Sequence, residues 1–247
     1  MMRIFGLWLA ALLSLNGMLA AQSYSLPQEL VYYGERQDVE FEAPNYGLMD
    51  RFYPIGWSKD AKFAYLVVPA DEACGCFFMH LEIVDLVTDS VTRPWRFSDE
   101  DNPKADNNLK KIWKQEKNAI AAVLKKNGIV QQSDYGVRDC DMFRCGKGIY
   151  SLDMKTERRE TDWNYFNAVT DATVSLHHAN GKSKQVYEMH EKDYAATLEC
   201  KLGGYLKYPH GRRLAVLMVR ELRGWEGPPN VLTFDVIGAG VGAYFKK

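Results

Sequence analysis

The sequence predicts a mainly β fold of the α+β class, in which antiparallel sheets carry one inserted amphipathic helix. Three observations support this prediction. The 247 residues include 14 Tyr and 6 Trp, and aromatic residues are enriched in strands. Short apolar runs bounded by turn residues recur along most of the chain. A segment of about 30 residues occurs twice, and one other segment has helical periodicity.

The first 21 residues have the pattern of a secretory signal peptide. Arg3 precedes an apolar run over residues 4–15, and the small residues Ala20 and Ala21 offer a cleavage site. The apolar run is shorter than the roughly 20 residues that a membrane span needs. We therefore predict an exported protein, periplasmic or secreted, whose mature chain has no transmembrane segment.

The length and charge of the chain bound its organisation and its partners. Residues 22–247 suit a single β-rich domain, with a pseudo-repeat at about 50–97 and 203–240 and a helical insertion at about 107–127. The formal net charge is −1 at pH 7, so no field of one sign would attract nucleic acid. We predict no nucleic-acid partner.

Strand signals dominate the chain before the helix. Each candidate strand is rich in apolar, β-branched or aromatic residues and is followed by turn-forming residues such as those at 88–90. The candidate strands here cover residues 29–33, 38–41, 63–68, 77–86 and 91–97.

One segment has strong helical periodicity. Asp106 or Asn107 is expected to cap its start, and Asn127 followed by Gly128 to end it. Lysines occupy the other face, which predicts a solvated face on a helix packed against a sheet; a membrane-surface helix is the alternative. The apolar positions with helical spacing are Leu109, Ile112, Trp113, Ile120, Val123 and Leu124.

Strand signals return after the helix. Asn180-Gly181 separates two alternating runs, which is the strongest short-range hairpin signal. The candidate strands here cover residues 129–130, 148–154, 172–178, 184–190, 194–200, 213–219 and 231–237.

The segment 57–86 has a second copy at 208–237. Each copy has a turn with a cation, an apolar strand containing Ala, a loop with an acidic residue and glycine, and a strand with an internal Asp. The two copies differ by 150 positions at Asp85 and Asp235. We interpret them as two copies of one hairpin unit.

The first copy contains Trp57-Ser58-Lys59-Asp60-Ala61-Lys62 and ends with Leu81-Glu82-Ile83-Val84-Asp85-Leu86. These stretches resemble the blades of TolB-type β-propeller repeats, which open with Trp-Ser-Pro-Asp-Gly-Lys and close with a strand of the type Ile-x-Val-x-Asp-Leu. The resemblance covers roughly a quarter of the mature chain. It implies propeller-like hairpin units and a role in binding or scaffolding rather than catalysis. With two visible copies, a β-rich domain built from such hairpins is predicted rather than a closed propeller.

The five cysteines suggest disulfides, which form in exported proteins. Their odd number leaves at least one thiol without a partner in the chain. We prefer bridges that link the pair flanking Gly75 to the pair at 140 and 145; a direct bridge across Gly75 is sterically permitted. The cysteines are Cys74, Cys76, Cys140, Cys145 and Cys200.

Two other chemistries compete for these residues. Cys74, Cys76 and His80 offer soft ligands suited to Cu(I) or zinc, which makes them weak metal candidates. A redox-active dithiol is disfavoured, because that chemistry usually needs Cys-x-x-Cys at a helix N-terminus. A glycine pattern begins at Gly238, but it has no following helix. We therefore predict no cofactor.

The leading functional hypothesis is a non-enzymatic, exported binding or envelope-associated protein of unknown ligand. The loops 69–77 and 220–230 occupy equivalent places in the two copies, and Phe77, Phe78 and Trp225 are the candidate contact residues. The expected partner is a protein or an envelope component.

Two alternatives remain open. One is a secreted hydrolase whose site assembles from acidic loops and from His177, His178 and His190, where His190 could face one of the other two across the hairpin. The other is a soft-metal binding protein that uses the segment 74–80. No serine-nucleophile elbow supports a hydrolase.

Overall fold

The computed structural model describes residues 23–30, 46–72, 74–102, 107–133, 135–161, 164–191, 196–225, 227 and 229–242. The predicted signal peptide and the predicted strand at 38–41 lie outside the described residues, as does most of the predicted strand at 29–33. Strands make up 56% of the described residues and helix 10%, which confirms the mainly β class.

In the described part of the chain, one helix follows five strands. The elements are β1 (Tyr46–Met49), β2 (Arg51–Trp57), β3 (Lys62–Val68), β4 (Phe78–Asp85), β5 (Val91–Ser98), α1 (Leu109–Lys126), β6 (Val130–Gln131), β7 (Phe143–Cys145), β8 (Gly148–Thr161), β9 (Asn164–His178), β10 (Ser183–His190), β11 (Thr197–Lys207), β12 (Arg213–Leu222) and β13 (Asn230–Gly240).

Three sheets contain the strands. Sheet I has the order β5-β4-β3-β2-β6, sheet II the order β1-β13-β12-β11, and sheet III the order β10-β9-β8-β7. Pairing is antiparallel except between β1 and β13, which run parallel. Among the described residues the sheets form no closed barrel or propeller, and the resemblance to TolB-type repeats stays a prediction.

The sheets are stacked as layers, with the helix outermost. One apolar cluster joins α1 to the outer face of sheet I. A second lies between sheets I and II, and a third between sheets II and III. Sheet II is therefore covered on both faces, so β12 is almost continuously apolar rather than alternating.

The helix begins and ends close to the predicted positions. Asn108, one residue beyond the expected caps, accepts hydrogen bonds from the backbone N–H groups of Lys110 and Lys111. At the other end Asn127 is the cap, and Gly128 has the positive φ typical of a helix stop. The apolar face is buried against sheet I, as the periodicity predicted.

Strand β2 was not predicted, because Pro54 and Gly56 are unfavourable inside a strand. Both are tolerated for a local reason. The short neighbour β6 pairs only with Gly56 and Trp57, which leaves the backbone of Pro54 beyond the paired region on that side. At Gly56 a side chain would clash with the carbonyl of Val130.

Each of the two similar segments contains a hairpin, β3-β4 or β12-β13, which forms a three-stranded meander with the strand that precedes it. Strands β2-β3-β4 and β11-β12-β13 are each paired in succession and antiparallel. The first turns are closed alike, because Ser58 N donates to Lys62 O at 3.0 Å and Tyr208 N donates to Arg213 O at 3.1 Å. The meanders pack face to face across the core between sheets I and II.

Candidate binding surface

The loops that follow β3 and β12 meet at one end of the stacked sheets. The backbone N–H of Trp225 donates to Oε2 of Glu72 at 2.9 Å. We call the described residues of these two loops, 69–72, 74–77, 223–225, 227 and 229, the rim. Strand β12 extends to Leu222, so the second loop is shorter than the predicted 220–230.

The backbone around Trp225 holds the tryptophan in an exposed position. Its side chain is 85% exposed. The N–H of Gly227 donates to the carbonyl of Gly224 at 3.0 Å, so the chain reverses around the tryptophan. A side chain at Gly224 would clash with the carbonyls of Gly227 and Pro229, which explains the glycine in that place.

The other two contact candidates differ in exposure. Phe78 begins β4 and is 36% exposed. Phe77 packs edge-to-face on Phe97 with ring centroids 6.3 Å apart, and its N–H donates to Asp99 at 2.9 Å. Trp225 and Phe78 are thus the more accessible of the three, whereas Phe77 contributes to the core under the helix.

The rim also contains a disulfide, between Cys74 and Cys76. Gly75 has a φ of +65°, and the turn brings the two Cα atoms to 5.1 Å, within the range for a bridge. The predicted bridges from this pair to Cys140 and Cys145 are wrong. Those two cysteines lie in the core between sheets II and III, and sheet II separates them from the rim.

The disulfide removes the two thiolates that the soft-metal hypothesis needed. His80 lies on β4, where its Nε2 is 3.1 Å from Oε1 of Glu82. In the described part of the chain, no three His, Cys, Asp or Glu side chains are grouped so as to hold a metal ion.

Cys140, Cys145 and Cys200 are buried and lie outside the Cys74–Cys76 disulfide. All three belong to the apolar cluster between sheets II and III. Burial raises the pKa of the Cys200 thiol to about 12, so it carries almost no thiolate at neutral pH.

The carboxylate of Glu82 lies beneath the rim, on the face of sheet I that packs against sheet II, and has three partners. The carboxylate of Glu82 accepts from Tyr65 Oη at 2.5 Å and Arg93 Nε at 2.6 Å, and it contacts His80. Burial alone would raise the pKa of Glu82, but hydrogen bonds from His80, Tyr65 and Arg93 lower it to about 2. Glu82 is therefore a buried, ionised acid with three compensating partners.

The pKa of Asp50 is raised rather than lowered, although Asp50 lies near Glu82. Asp50 joins β1 of sheet II to β2 of sheet I, and its N–H donates to Leu232 O at 2.9 Å. Its carboxylate accepts from the N–H of Ala70 at 2.9 Å. Burial raises the pKa of Asp50 to about 6, with Asp235 and Glu82 adding to the rise, against the lowering by Ala70 and His80.

The histidines of the β9–β10 hairpin do not form one site. His190 pairs with Asp171 across the hairpin, not with His177 or His178, so the predicted cross-strand histidine pair is wrong. His190 Nδ1 lies 2.6 Å from Asp171 Oδ1, whereas His177 contacts Asp153. His177 lies six strand positions beyond Asp171, which corresponds to roughly 20 Å of strand.

Sequence patterns did not indicate the roles of Asp50, Tyr65 and Glu82. Glu82 interrupts the apolar run of β4 between Leu81 and Ile83, and an acid in a strand buried on both faces needs a charged partner. That interruption was the available signal for a buried acid. It did not identify the partners of Glu82, which come from three other positions in the chain.

Comparison with family models, curated proteins and solved structures finds no match to this chain. No helix among the described residues is long and apolar enough to cross a lipid bilayer.

Proposed function

We propose that this protein is an exported, non-enzymatic binding or envelope-associated module whose rim contacts a protein or another envelope component. The observation that carries the proposal is Trp225, an exposed tryptophan whose backbone is held by Glu72 of the neighbouring loop. Tryptophan is enriched at interface hot spots. A preformed backbone reduces the ordering cost of binding.

The partly exposed Phe78 supports the same surface. Together with Trp225 it offers aromatic groups on both meanders, and the disulfide at Cys74–Cys76 constrains the loop that precedes Phe78. Such a surface suits a partner that buries aromatic anchors inside a polar border.

The test uses quantitative capture of components from an envelope fraction of the native host by the purified mature protein. Trp225→Ala and Phe78→Ala should each lower the recovery of a specifically captured component about tenfold, the loss expected at a hot spot. Met142→Ala is the matched control. Met142 is also an exposed apolar residue (75%), but it directly precedes β7 of sheet III and is not part of the rim. Equal recovery with Trp225→Ala and native protein would refute the proposal.

A hydrolase is the second candidate, and one observation favours it. Asp50 and Glu82 have pKa values moved apart, to about 6 and about 2, and His80 lowers the pKa of both. Carboxyl groups with separated pKa values can divide acid and base roles.

A panel of chromogenic ester, glycoside and phosphate substrates tests this second candidate. Activity that is lost in Asp50→Asn but kept in His177→Ala would support it. Activity that is absent from the native protein, or unchanged in Asp50→Asn, would refute it.

A further inference from the structure

A cavity of about 580 Å³ lies where the three sheets come together. Sheet I contributes the turn after β4 with Leu86 and Asp89, sheet II the paired ends of β12 and β13, and sheet III the beginning of β10. Its volume is within the range of small-molecule sites.

This cavity is far from the rim. Arg213 pairs with Gly240 at the cavity end of the β12–β13 hairpin, and Leu222 pairs with Val231 at the rim end. The nine strand steps between these pairs correspond to roughly 30 Å. A ligand here is therefore independent of the partner proposed for the rim.

Three cationic side chains line the cavity: Lys184, Arg212 and Arg213. A β-carbon at Gly240 would lie 3.4 Å from Nη1 of Arg213 and 3.8 Å from Nζ of Lys184, so both cations lie over the same glycine. Burial, and then the charge of Arg213, lower the pKa of Lys184. The two cations thus lie close together in a partly buried place, an arrangement that favours an anion beside them.

One carboxylate, that of Asp89, is present among the lining residues described. It accepts from the N–H of Gly238 at 2.5 Å, and its neighbour Arg213 donates from Nη1 to Leu86 O at 2.8 Å. With Lys184 protonated, three cations and one carboxylate give the lining a net charge of +2. This charge matches a phosphate monoester, which carries about −1.5 to −2 at pH 7.

The rest of the lining is suited to an organic group. Leu86, Val186 and Val241 are apolar, and Tyr208 contributes its ring. The hydroxyl of Tyr208 is already bonded to the carbonyls of Ser58 and Lys59. Its ring packs edge-to-face on Trp57 and His210 and is 4% exposed, so Tyr208 forms part of the cavity wall.

We propose that this cavity binds a phosphomonoester, with Lys184, Arg212 and Arg213 around the phosphate and the apolar wall against its organic group. Guanidinium forks bind phosphate oxygens in pairs, and lysine adds a point charge. The phosphate can belong to a soluble molecule or to a lipid headgroup.

The first experiment titrates phenyl phosphate into the full mature protein in phosphate-free buffer, with calorimetric detection. Native protein should bind, and Lys184→Gln and Arg212→Gln should each weaken binding at least tenfold. Lys184→Arg should retain most of the affinity. Lys117→Gln, which makes the same charge change on the exposed face of α1, should bind like the native protein.

Thermal melting without ligand separates binding from folding. Lys184→Gln should stay folded and melt near the temperature of the native protein, because Lys184 is only partly buried. If Lys184→Gln is unfolded, Arg212→Gln decides, since Arg212 is exposed. Cavity variants that bind phenyl phosphate as well as Lys117→Gln does would overturn the proposal. The absence of binding by native protein at about 10 mM phenyl phosphate would also overturn it, if the vesicle experiment described next shows no binding either.

A second arm identifies the source of the phosphate. The native protein is sedimented with vesicles of phosphatidylcholine that do or do not contain phosphatidic acid, whose headgroup is a phosphomonoester. Phenyl phosphate binding without vesicle binding indicates a soluble ligand. Vesicle binding that depends on phosphatidic acid and is lost in Lys184→Gln indicates the lipid. Failure in both arms excludes the site and leaves the rim proposal unaffected.

Discussion

The hydroxyl of Tyr208 donates a hydrogen bond to the carbonyl of Ser58 at 3.0 Å, across 150 positions of sequence. That separation equals the offset between the internal Asp residues of the two copies, Asp85 and Asp235. The first turns of the two meanders therefore touch each other. The contact continues to the carbonyl of Lys59 at 2.7 Å and to the ring of Trp57.

Tyr208→Phe should lower the free energy of unfolding by about 1–2 kcal/mol, because the carbonyl of Ser58 loses its buried donor. Tyr208→Leu should cost more, since it also removes the ring packed on Trp57. Urea denaturation with unchanged m-values measures both differences. A Phe variant as stable as native protein would show that this contact does not contribute to packing of the meanders.

Asp50→Asn should stabilise the protein at pH 7 by up to about 3 kcal/mol. The pKa of Asp50 is raised from 3.8 to about 6 by burial. Between pH 3.8 and about 6, Asp50 keeps its proton in the folded state but has lost it in the unfolded state. The free energy of unfolding therefore falls as pH rises from about 4 to 6. The variant should remove this slope in denaturation curves taken across that range, whereas exposed Asp101→Asn should keep it.

Glu82→Gln should have the opposite effect. The pKa of Glu82 is lowered from 4.5 to about 2 by its hydrogen bonds, so its contribution is complete above pH 4.5 and is lost as pH falls towards 2. We expect a loss of about 2–3 kcal/mol at pH 7 and almost none near pH 2. The exposed Glu157→Gln is the control; a pH-independent difference for Glu82→Gln would contradict this account.

Intact mass measurement should find two thiols oxidised and three reduced. Alkylation without denaturant should leave Cys140, Cys145 and Cys200 unmodified, because all three are buried. Denaturant should expose three thiols, and subsequent reduction should expose Cys74 and Cys76. A single reactive thiol in denaturant would instead indicate a second disulfide. The same spectrum of exported protein tests the proposed removal of about 21 residues.

Local patterns were sufficient for most elements. The hairpin at Asn180-Gly181 forms between β9 and β10 as predicted, with Gly181 at positive φ, because the turn needs that conformation whatever surrounds it. Strand β11 was predicted too short, since its glycines Gly203 and Gly204 suggest a break. The packing of sheet II between two other sheets stabilises that strand nonetheless.

The sequence by itself determined the mainly β class, the single long helix among the described elements and the recurrence of a hairpin unit. These features depend on side-chain periodicity, caps and turns, which act over a few residues. The tertiary structure alone decided that Cys140 and Cys145 lie apart from the Cys74–Cys76 pair, that His190 faces Asp171 rather than another histidine, and that three cations line one cavity. Each of these depends on which strands become neighbours, and residues such as Lys184 and Arg213 meet only after three sheets have stacked.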